Sequence, residues 1–378
     1  MRYARETVPS FNAYLYFRIG YWVAKKIARL LYRVRVGLFQ NEQYRRIDPE
    51  STVVFIMNHR SNMDYILVAF LAAERTTLSY AVGEWAKIWP LQMLIRAMGA
   101  FFVRRKSGNA LYRRVLERYI HMATGEGVCQ AVFLEGGLSR DGCLRDPKLG
   151  LVDYMLRGFD PEKDRDIVFI PVGINYDRTL EDRSLLRALD PEAQKRSGWF
   201  VVRTTVRFIA RSMVLMVFSR WRRYGYACVN FGTPLSARAY CREQGVQFHT
   251  LPRAERFPQV ERLCRRIMTD IANVVPVLPV SLVAMVFRNA MDEGLTILEI
   301  EGRINQLQNE LAARGAPVFE VPRSTRARVI SEALNMLLLR RVVTDNNGVY
   351  RAVLEEKALI DYYANAIGQW WEPAAPQD

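Results

Sequence analysis

Between residues 52 and 236, short apolar runs alternate with amphipathic stretches, and that alternation sets the expected architecture. VVFIMN, LSYAVG, AFFVRR, CQAVFLEG, IVFIPVGINY and ACVNFG are rich in β-branched and aromatic residues and predict strands. Between them lie stretches such as NALYRRVLERYIHMAT, whose apolar residues recur at helical spacing. Strands alternating with helices predict an α/β fold, with a mixed, largely parallel sheet flanked by helices. Open sheets of this kind bind ligands beyond the carboxyl ends of their strands. Polar islands stand at those ends: NHRSNMD after VVFIM, RRKSGN after AFFV, EGGLSRDG after VFL and NYDR after IPVGI. Four such exits are expected to converge on one cleft.

The flanks follow other patterns. In YWVAKKIARLLYRVRVG, residues Val23, Ile27, Leu30, Leu31 and Val34 fall on one helical stripe. Lys25, Lys26, Arg29 and Arg33 gather on another face, with Trp22 near the boundary. A basic amphipathic helix over 21–35 follows, either lying on a membrane surface or docked on the core with its basic face solvated. The longest uncharged stretch, IANVVPVLPVSLVAMVF (271–287), is short for a span and carries two prolines, so it reads as buried or interfacial. Beyond 290, LEIEGRINQLQNELAARG and RARVISEALNMLLLRR read as helices and VVTDNNGVYRAV as a hairpin around NNG. The expected division is an N-terminal amphipathic segment (1–48), an α/β domain (49–290) and a small, mainly helical region (291–378).

Composition narrows the classes. A net charge of +15 suits anionic lipid, phosphorylated substrates or nucleic acid. Two helices and a hairpin would also fit a small winged-helix unit, but glutamates balance the arginines of that region and no basic arm accompanies it, which disfavours nucleic acid. The five cysteines form no CxxC pair, which argues against a disulfide framework or a zinc site and for a reducing compartment. Arg2 and Arg5, followed by polar residues, do not read as a signal peptide.

The first island carries the chemistry. Ser61, Asp64 and the apolar run behind them have the form of a capping box, which starts a helix at Ser61 and puts Asp64 in its first turn. His59 stands two residues earlier, at the strand exit, so Asp64 can fold back to it. A carboxylate on one imidazole nitrogen fixes the tautomer and leaves the other nitrogen to take a proton from a hydroxyl. Taken alone, the island is equally a helix cap beside an incidental histidine.

Together, the four islands resemble the motifs of the glycerolipid acyltransferase family, in order and in spacing. NHRSNMD (58–64) resembles its first motif, GAFFVRR (99–105) its second, FLEGGLSRDG (133–142) its third and IVFIPVGINYD (167–177) its fourth. The EGG form of the third motif resembles the glycerol-3-phosphate and dihydroxyacetone-phosphate acyltransferase subgroup. DYYANAI (361–367) is similar to a YYxNxI element that glycerol-3-phosphate acyltransferases carry past their catalytic domain. The chain departs at Leu138, where the family's usual arginine lies near the substrate phosphate, and it is much shorter than the long bacterial enzymes of the subgroup.

The resemblance implies an acyl transfer from acyl-CoA or acyl-carrier protein to the sn-1 hydroxyl of glycerol 3-phosphate, with no cofactor and no metal. Lysophosphatidate, another lyso-lipid or dihydroxyacetone phosphate is the alternative acceptor. His59 is implied as the base and Asp64 as its orienting carboxylate. Arg104, Arg105, Ser139 and Arg140 are implied around the acceptor phosphate, where guanidinium forks match phosphate oxygens. Glu135, negatively charged, is expected to orient an arginine or a glycerol hydroxyl, and Gly136 and Gly137 to let backbone approach the ligand. Arg60, Ser61, Pro171 and Asn175 are weaker candidates. The implied location is the cytoplasmic face of a membrane, with the anionic surface as partner. No S-K-L-type ending gives a peroxisomal address.

Overall fold

The computed structural model describes residues 3, 7–9, 11–38, 41–72, 79–83, 96, 99–104, 108–190, 224–319 and 322–371. Eight strands form the main sheet: β1 (Arg33–Leu38), β2 (Thr52–Met57), β3 (Ser79–Gly83), β4 (Ala100–Val103), β5 (Gln130–Phe133), β6 (Ile167–Tyr176), β7 (Tyr226–Phe231) and β8 (Leu235–Ser236). Their order is β1-β7-β6-β2-β5-β3-β4, with β8 pairing β6. From β6 through β2, β5 and β3 to β4 every pairing is parallel, whereas β7 and β8 run antiparallel to β6. The sheet is therefore mixed and mostly parallel, and all six expected strands lie in it.

β6 is buried along its whole length, as a continuous apolar run predicts for a strand covered on both faces. Its Pro171 would weaken a central ladder, since it has no N–H to donate. The proline falls where β6 changes partner, after β8 pairs Val168 and Phe169 and before β7 pairs Val172 onward. There its carbonyl needs only a donor, and it accepts the Gly232 N–H at 2.8 Å.

Eight of the helices, in chain order, are α1 (Tyr21–Leu31), α2 (Met63–Ala72), α3 (Ala110–Gly125), α4 (Arg253–Val274), α5 (Pro279–Asn289), α6 (Ile297–Ala313), α7 (Arg323–Leu339) and α8 (Lys357–Ala364). α3 and α4 cover one face of the sheet, packing Leu116, Ile120, Leu263 and Ile267 with Val54, Ile56 and Phe169. α1 and α2 cover the other, where Ala28, Leu31 and Leu67 meet Met57, Phe133 and Ile170.

The helix expected over 21–35 stops at Leu31, and Tyr32 turns extended with φ −133°. RVRVGL alternates with the period of a strand, and pairing with β7 wins over helix continuation. The buried side of α1 is Ala24, Ala28 and Leu31, a narrower stripe than Val23, Ile27, Leu30, Leu31 and Val34. The 271–287 stretch is interior: it breaks at its prolines between α4 and α5, and Val280–Phe287 are all buried. Among the described residues no helix is long and apolar enough to cross a membrane.

α5 to α8 build a second core around Val283, Phe287, Ile304, Leu334 and Tyr363. Beside it, β9 (Leu295–Thr296), β10 (Val343–Asn346) and β11 (Val349–Ala352) form a small sheet in the order β10-β11-β9. Its hairpin turns at Asn347 and Gly348, both at positive φ as the NNG signal predicts. α5, β9, α6, α7 and the hairpin follow one another in this region, with several of its charges paired internally or to the main sheet, as in Arg303–Glu293 and Arg33–Glu332.

One buried ion pair fastens this region to the sheet. Asp182, in the short helix Asp182–Arg187 after β6, accepts from Arg340 Nη1 at 2.5 Å and Nη2 at 2.8 Å, and also from the Tyr363 hydroxyl. Replacing Arg340 by Met leaves Asp182 buried without its cation. The expected loss is roughly 3–5 kcal/mol in urea unfolding, the usual cost of stranding one partner of a buried pair; a loss below about 1 kcal/mol would show that the pair holds nothing together.

Candidate active site

The site begins where β2 ends. Asn58 leaves the strand but continues its ladder by side chain, donating Nδ2–H to the Ile174 carbonyl at 2.9 Å and accepting the Ile174 N–H at 2.8 Å. The backbone is thereby free to turn away from β6. His59 follows, and Asp64 comes back to it from the first turn of α2. Asp64 Oδ2 lies 2.9 Å from His59 Nδ1 and accepts the backbone N–H groups of Arg60 (2.7 Å) and Ser61 (3.1 Å). Asp64 Oδ1 accepts the Tyr176 hydroxyl at 2.6 Å. The return from Asp64 to the Ser61 N–H is half of the expected capping box. The other half is altered, because Ser61 Oγ accepts from Met63 N and donates to Glu181 Oε2.

Both side chains of this pair are buried, His59 2% exposed and Asp64 0%. A carboxylate can only accept, so the imidazole proton sits on Nδ1 and the lone pair on Nε2. Phe133 stacks on the ring at 4.0 Å and Tyr65 meets it edge-on at 5.3 Å, so its plane is fixed from three sides.

Glu135, at the exit of β5, accepts the His59 N–H through Oε1 at 3.1 Å. Its Oε2 is buried with no hydrogen-bond partner, as is Nε of Arg60, whose Nη1 donates to the Gly142 carbonyl. Burial pushes the Glu135 carboxyl up to about 8, against the opposing pull of the His59 N–H and Arg60. The fold thus works against the negative charge expected on Glu135.

The loop after Glu135 is held from both ends. Ser139 donates its N–H to the His59 carbonyl (2.9 Å), and its hydroxyl bridges Cys143 O and Gly142 N, so it staples the loop. Gly142 has φ +89°, and a Cβ there would lie 2.0 Å from the Tyr362 carbonyl oxygen. Asn365 donates to the Asp141 carbonyl at 2.9 Å, so the YYxNxI element sits directly against the third exit.

The remaining expected residues lie further out. Gly136 is exposed beside the Lys148 stem and Gly137 is buried. Leu138 packs against the C-terminal core, and Arg140, exposed, donates to the Ala188 carbonyl at 3.2 Å. Arg104 ends β4, three strands from β2 and so about 14 Å across the sheet. Its guanidinium lies over the rings of Tyr3 and Tyr112. Arg105 falls outside the described residues. Asn175 gives its amide to the Pro276 carbonyl, and Pro171 stays within the sheet. The structure therefore gathers His59, Arg60, Ser61, Asp64, Glu135 and Ser139, and sets Arg104 and Arg140 apart from them. Asn58, Tyr176, Glu181 and Gly142 belong to the constellation without having been singled out. The first two stand inside NHRSNMD and INYD, and Glu181 has no local signal at all. Among the described residues no group of three or more His, Cys, Asp or Glu is placed to hold a metal.

Two family profiles match the chain. One, described as acyltransferase, covers residues 38–175, and the other, described as glycerol-3-phosphate acyltransferase C-terminal region, covers 212–370. The chain is 29% identical to a glycerol-3-phosphate acyltransferase of Xanthomonas campestris pv. campestris over 348 residues, which is 86% of this chain and 37% of that protein. It is 27% identical to the protein of that name from Aeromonas hydrophila subsp. hydrophila over 375 residues, 96% of this chain and 44% of the relative. The chain thus spans less than half the length of these relatives. Among solved structures, the 1-acyl-sn-glycerophosphate (LPA) acyltransferase PlsC of Thermotoga maritima aligns with a TM-score of 0.33 and 16% identity, over 66% of this chain and 81% of that one.

The raised Glu135 carboxyl gives a stability prediction with a definite sign. Below about pH 4.5 folded and unfolded chains both carry the proton; between there and about 8 only the unfolded chain releases it, so stability falls as pH rises through that window. Asp177, buried and raised to about 7, adds to the same slope. Urea unfolding of Glu135→Gln at pH 5, 6.5 and 8 should show a shallower decline than the parent chain, with the largest gain at pH 8. Parallel declines would mean that Glu135 is ionised in the fold.

Proposed function

The chain belongs to the glycerolipid acyltransferase family, and we propose that it transfers an acyl group from acyl-CoA or acyl-carrier protein to the sn-1 hydroxyl of glycerol 3-phosphate. The observation that carries this reading is the buried His59–Asp64 pair at the carboxyl end of β2, 2.9 Å apart. His59 Nε2 takes the hydroxyl proton as the oxygen attacks the thioester carbonyl. Asp64 holds the ring and stabilises the imidazolium that forms. The tetrahedral oxyanion collapses, the carbon–sulfur bond breaks, and the imidazolium proton passes to the departing thiolate. The products are lysophosphatidate and a free thiol. Arg60 and Glu135, whose orphaned Nε and Oε2 lie beside the base, offer one donor and one group able to bond a hydroxyl. Arg104, Arg105 and Arg140 remain candidates for the phosphate once substrate is present.

The alternative acceptor is lysophosphatidate. Leu138 packs against the C-terminal core where the family's usual arginine lies near phosphate, so the acceptor is the part of this reading that the rates below decide.

We also propose that the chain works as a peripheral protein at the cytoplasmic face of an anionic membrane. Tyr21, Trp22, Lys25, Lys26, Arg29 and Leu30 line an open groove of about 480 Å³ on α1, with Lys26 over the Trp22 ring at 5.0 Å. Phe11, Tyr14 and Trp22 are exposed on the same N-terminal stretch. Aromatic rings with lysine and arginine beside them suit the headgroup layer.

His59→Ala should lower turnover by roughly two to four orders of magnitude with little change in acceptor KM, the range for a lost general base. Side-by-side rates with glycerol 3-phosphate, dihydroxyacetone phosphate and lysophosphatidate under one acyl donor decide the acceptor; a clear preference for lysophosphatidate would replace the first reading by the second. For the membrane, replacing Lys25, Lys26 and Arg29 by Gln should weaken binding to phosphatidylserine vesicles by about 1 kcal/mol per charge, and added salt should mimic it. Unchanged vesicle sedimentation would show that the groove does not face lipid.

A further inference from the structure

We propose that Tyr176 is a positioning residue of the base pair: its phenol holds the second oxygen of Asp64 and thereby sets how strongly His59 takes up a proton. The role in catalysis rests on the reading that His59 is the base; the coupling itself does not.

Tyr176 is the last residue of β6, next to the strand that delivers His59, and it reaches Asp64 Oδ1 at 2.6 Å while His59 reaches Oδ2. The ring is clamped. It packs on Tyr32 at 5.2 Å, and the Tyr32 hydroxyl is itself tied to the Arg178 carbonyl at 2.7 Å. Burial and the Asp64 charge push the ionisation of the phenol well above its ordinary value, so it remains a proton donor throughout the working range. A donor on Oδ1 draws charge away from Oδ2 and restrains the carboxylate from rotating about its Cβ–Cγ bond. Both effects reach His59 through the single contact at Nδ1.

The other ionisable groups around the pair have bonds or contacts of their own that do not pass through the phenol. Glu135 comes from the β5 exit and holds the His59 N–H, and Arg60 from the β2 exit turns its guanidinium to Gly142. Glu181, from the segment after β6, is bound to Ser61 and Asn62; Tyr65 of α2 faces the imidazole edge, and Tyr32 faces Tyr176. None of them donates to Asp64 Oδ1 in place of Tyr176.

The test is Tyr176→Phe together with 3-fluorotyrosine at position 176, in the full chain. The first removes the donor, and the second makes it more acidic and a stronger one. Imidazole Hε1 resonances are followed by NMR against pH; the chain has three histidines, and His59→Ala assigns the one of interest. Without the phenol more charge faces Nδ1–H, so the imidazolium is favoured. His59 should titrate about half to one pH unit higher in Tyr176→Phe, and lower than the parent with fluorotyrosine. With acyl thioester and glycerol 3-phosphate, kcat of Tyr176→Phe should fall about tenfold and the acid limb of kcat/KM move up in step, with both KM values within about twofold.

Titration of His59 unmoved in both chains, or moved the same way in both, overturns the proposal. If Tyr176→Phe does not fold, the fluorotyrosine chain alone decides by the direction of its shift. Because the titration needs no turnover, an active His59→Ala enzyme would remove the base assignment while leaving the coupling to be read separately.

Discussion

A carboxylate sealed from water at the start of α2 is the constraint on which the site depends. Asp64 carries a charge into the interior, where an unmatched ion costs several kcal/mol. Four donors meet it: the His59 ring, the N–H groups of Arg60 and Ser61, and the Tyr176 phenol. Each belongs to a different requirement of the fold. The two backbone donors belong to the turn that leads from β2 into α2. The phenol ends β6, and the imidazole ends the turn that leaves β2. One anion therefore fixes the angle between a strand and a helix and, as a by-product of the same bonds, the tautomer of a histidine.

A second organising contact joins regions far apart in the chain. The loop from Glu135 to Cys143 is bonded on one side to His59 and on the other to Asn365, with Gly142 set close against the Tyr362 carbonyl. The segments matched by the two family profiles meet here. The C-terminal region thus packs against the same loop that bonds His59, and Leu138 faces that region's apolar core.

The sequence made the strands legible because their apolar runs are long, buried and closed by polar islands; all six appear where the pattern put them. The His59–Asp64 pairing was legible too, since the capping-box spacing carries the geometry of the return. β1 was hidden because RVRVGL adjoins a helix whose basic stripe continues into it at Arg33, and only the distant β7 chooses strand. Asn58 and Tyr176 lay within quoted motifs, but their roles need partners more than a hundred residues away, Ile174 and Asp64. The raised carboxyl of Glu135 was hidden for a similar reason: burial is a property of the assembled fold. Arg104 was grouped with the base by the alignment of strand exits, and the strand order, which places β5 and β3 between them, was not available from spacing.

The position of β1 has a consequence for the molecule among its neighbours. Among the described strands it pairs on one side only, with β7, so its other side ends the sheet. An unpaired strand edge is a template on which another chain can add itself. Here the edge alternates Arg33 and Arg35 with Val34 and Val36, and Arg33 is pinned across to Glu332 of α7. Arg35 adds a charge along this edge, and the helix pinned to Arg33 stands beside the opening, so a second copy's edge is hindered from approaching. The segment that escaped a helical reading is thus also the one that discourages strand-by-strand aggregation.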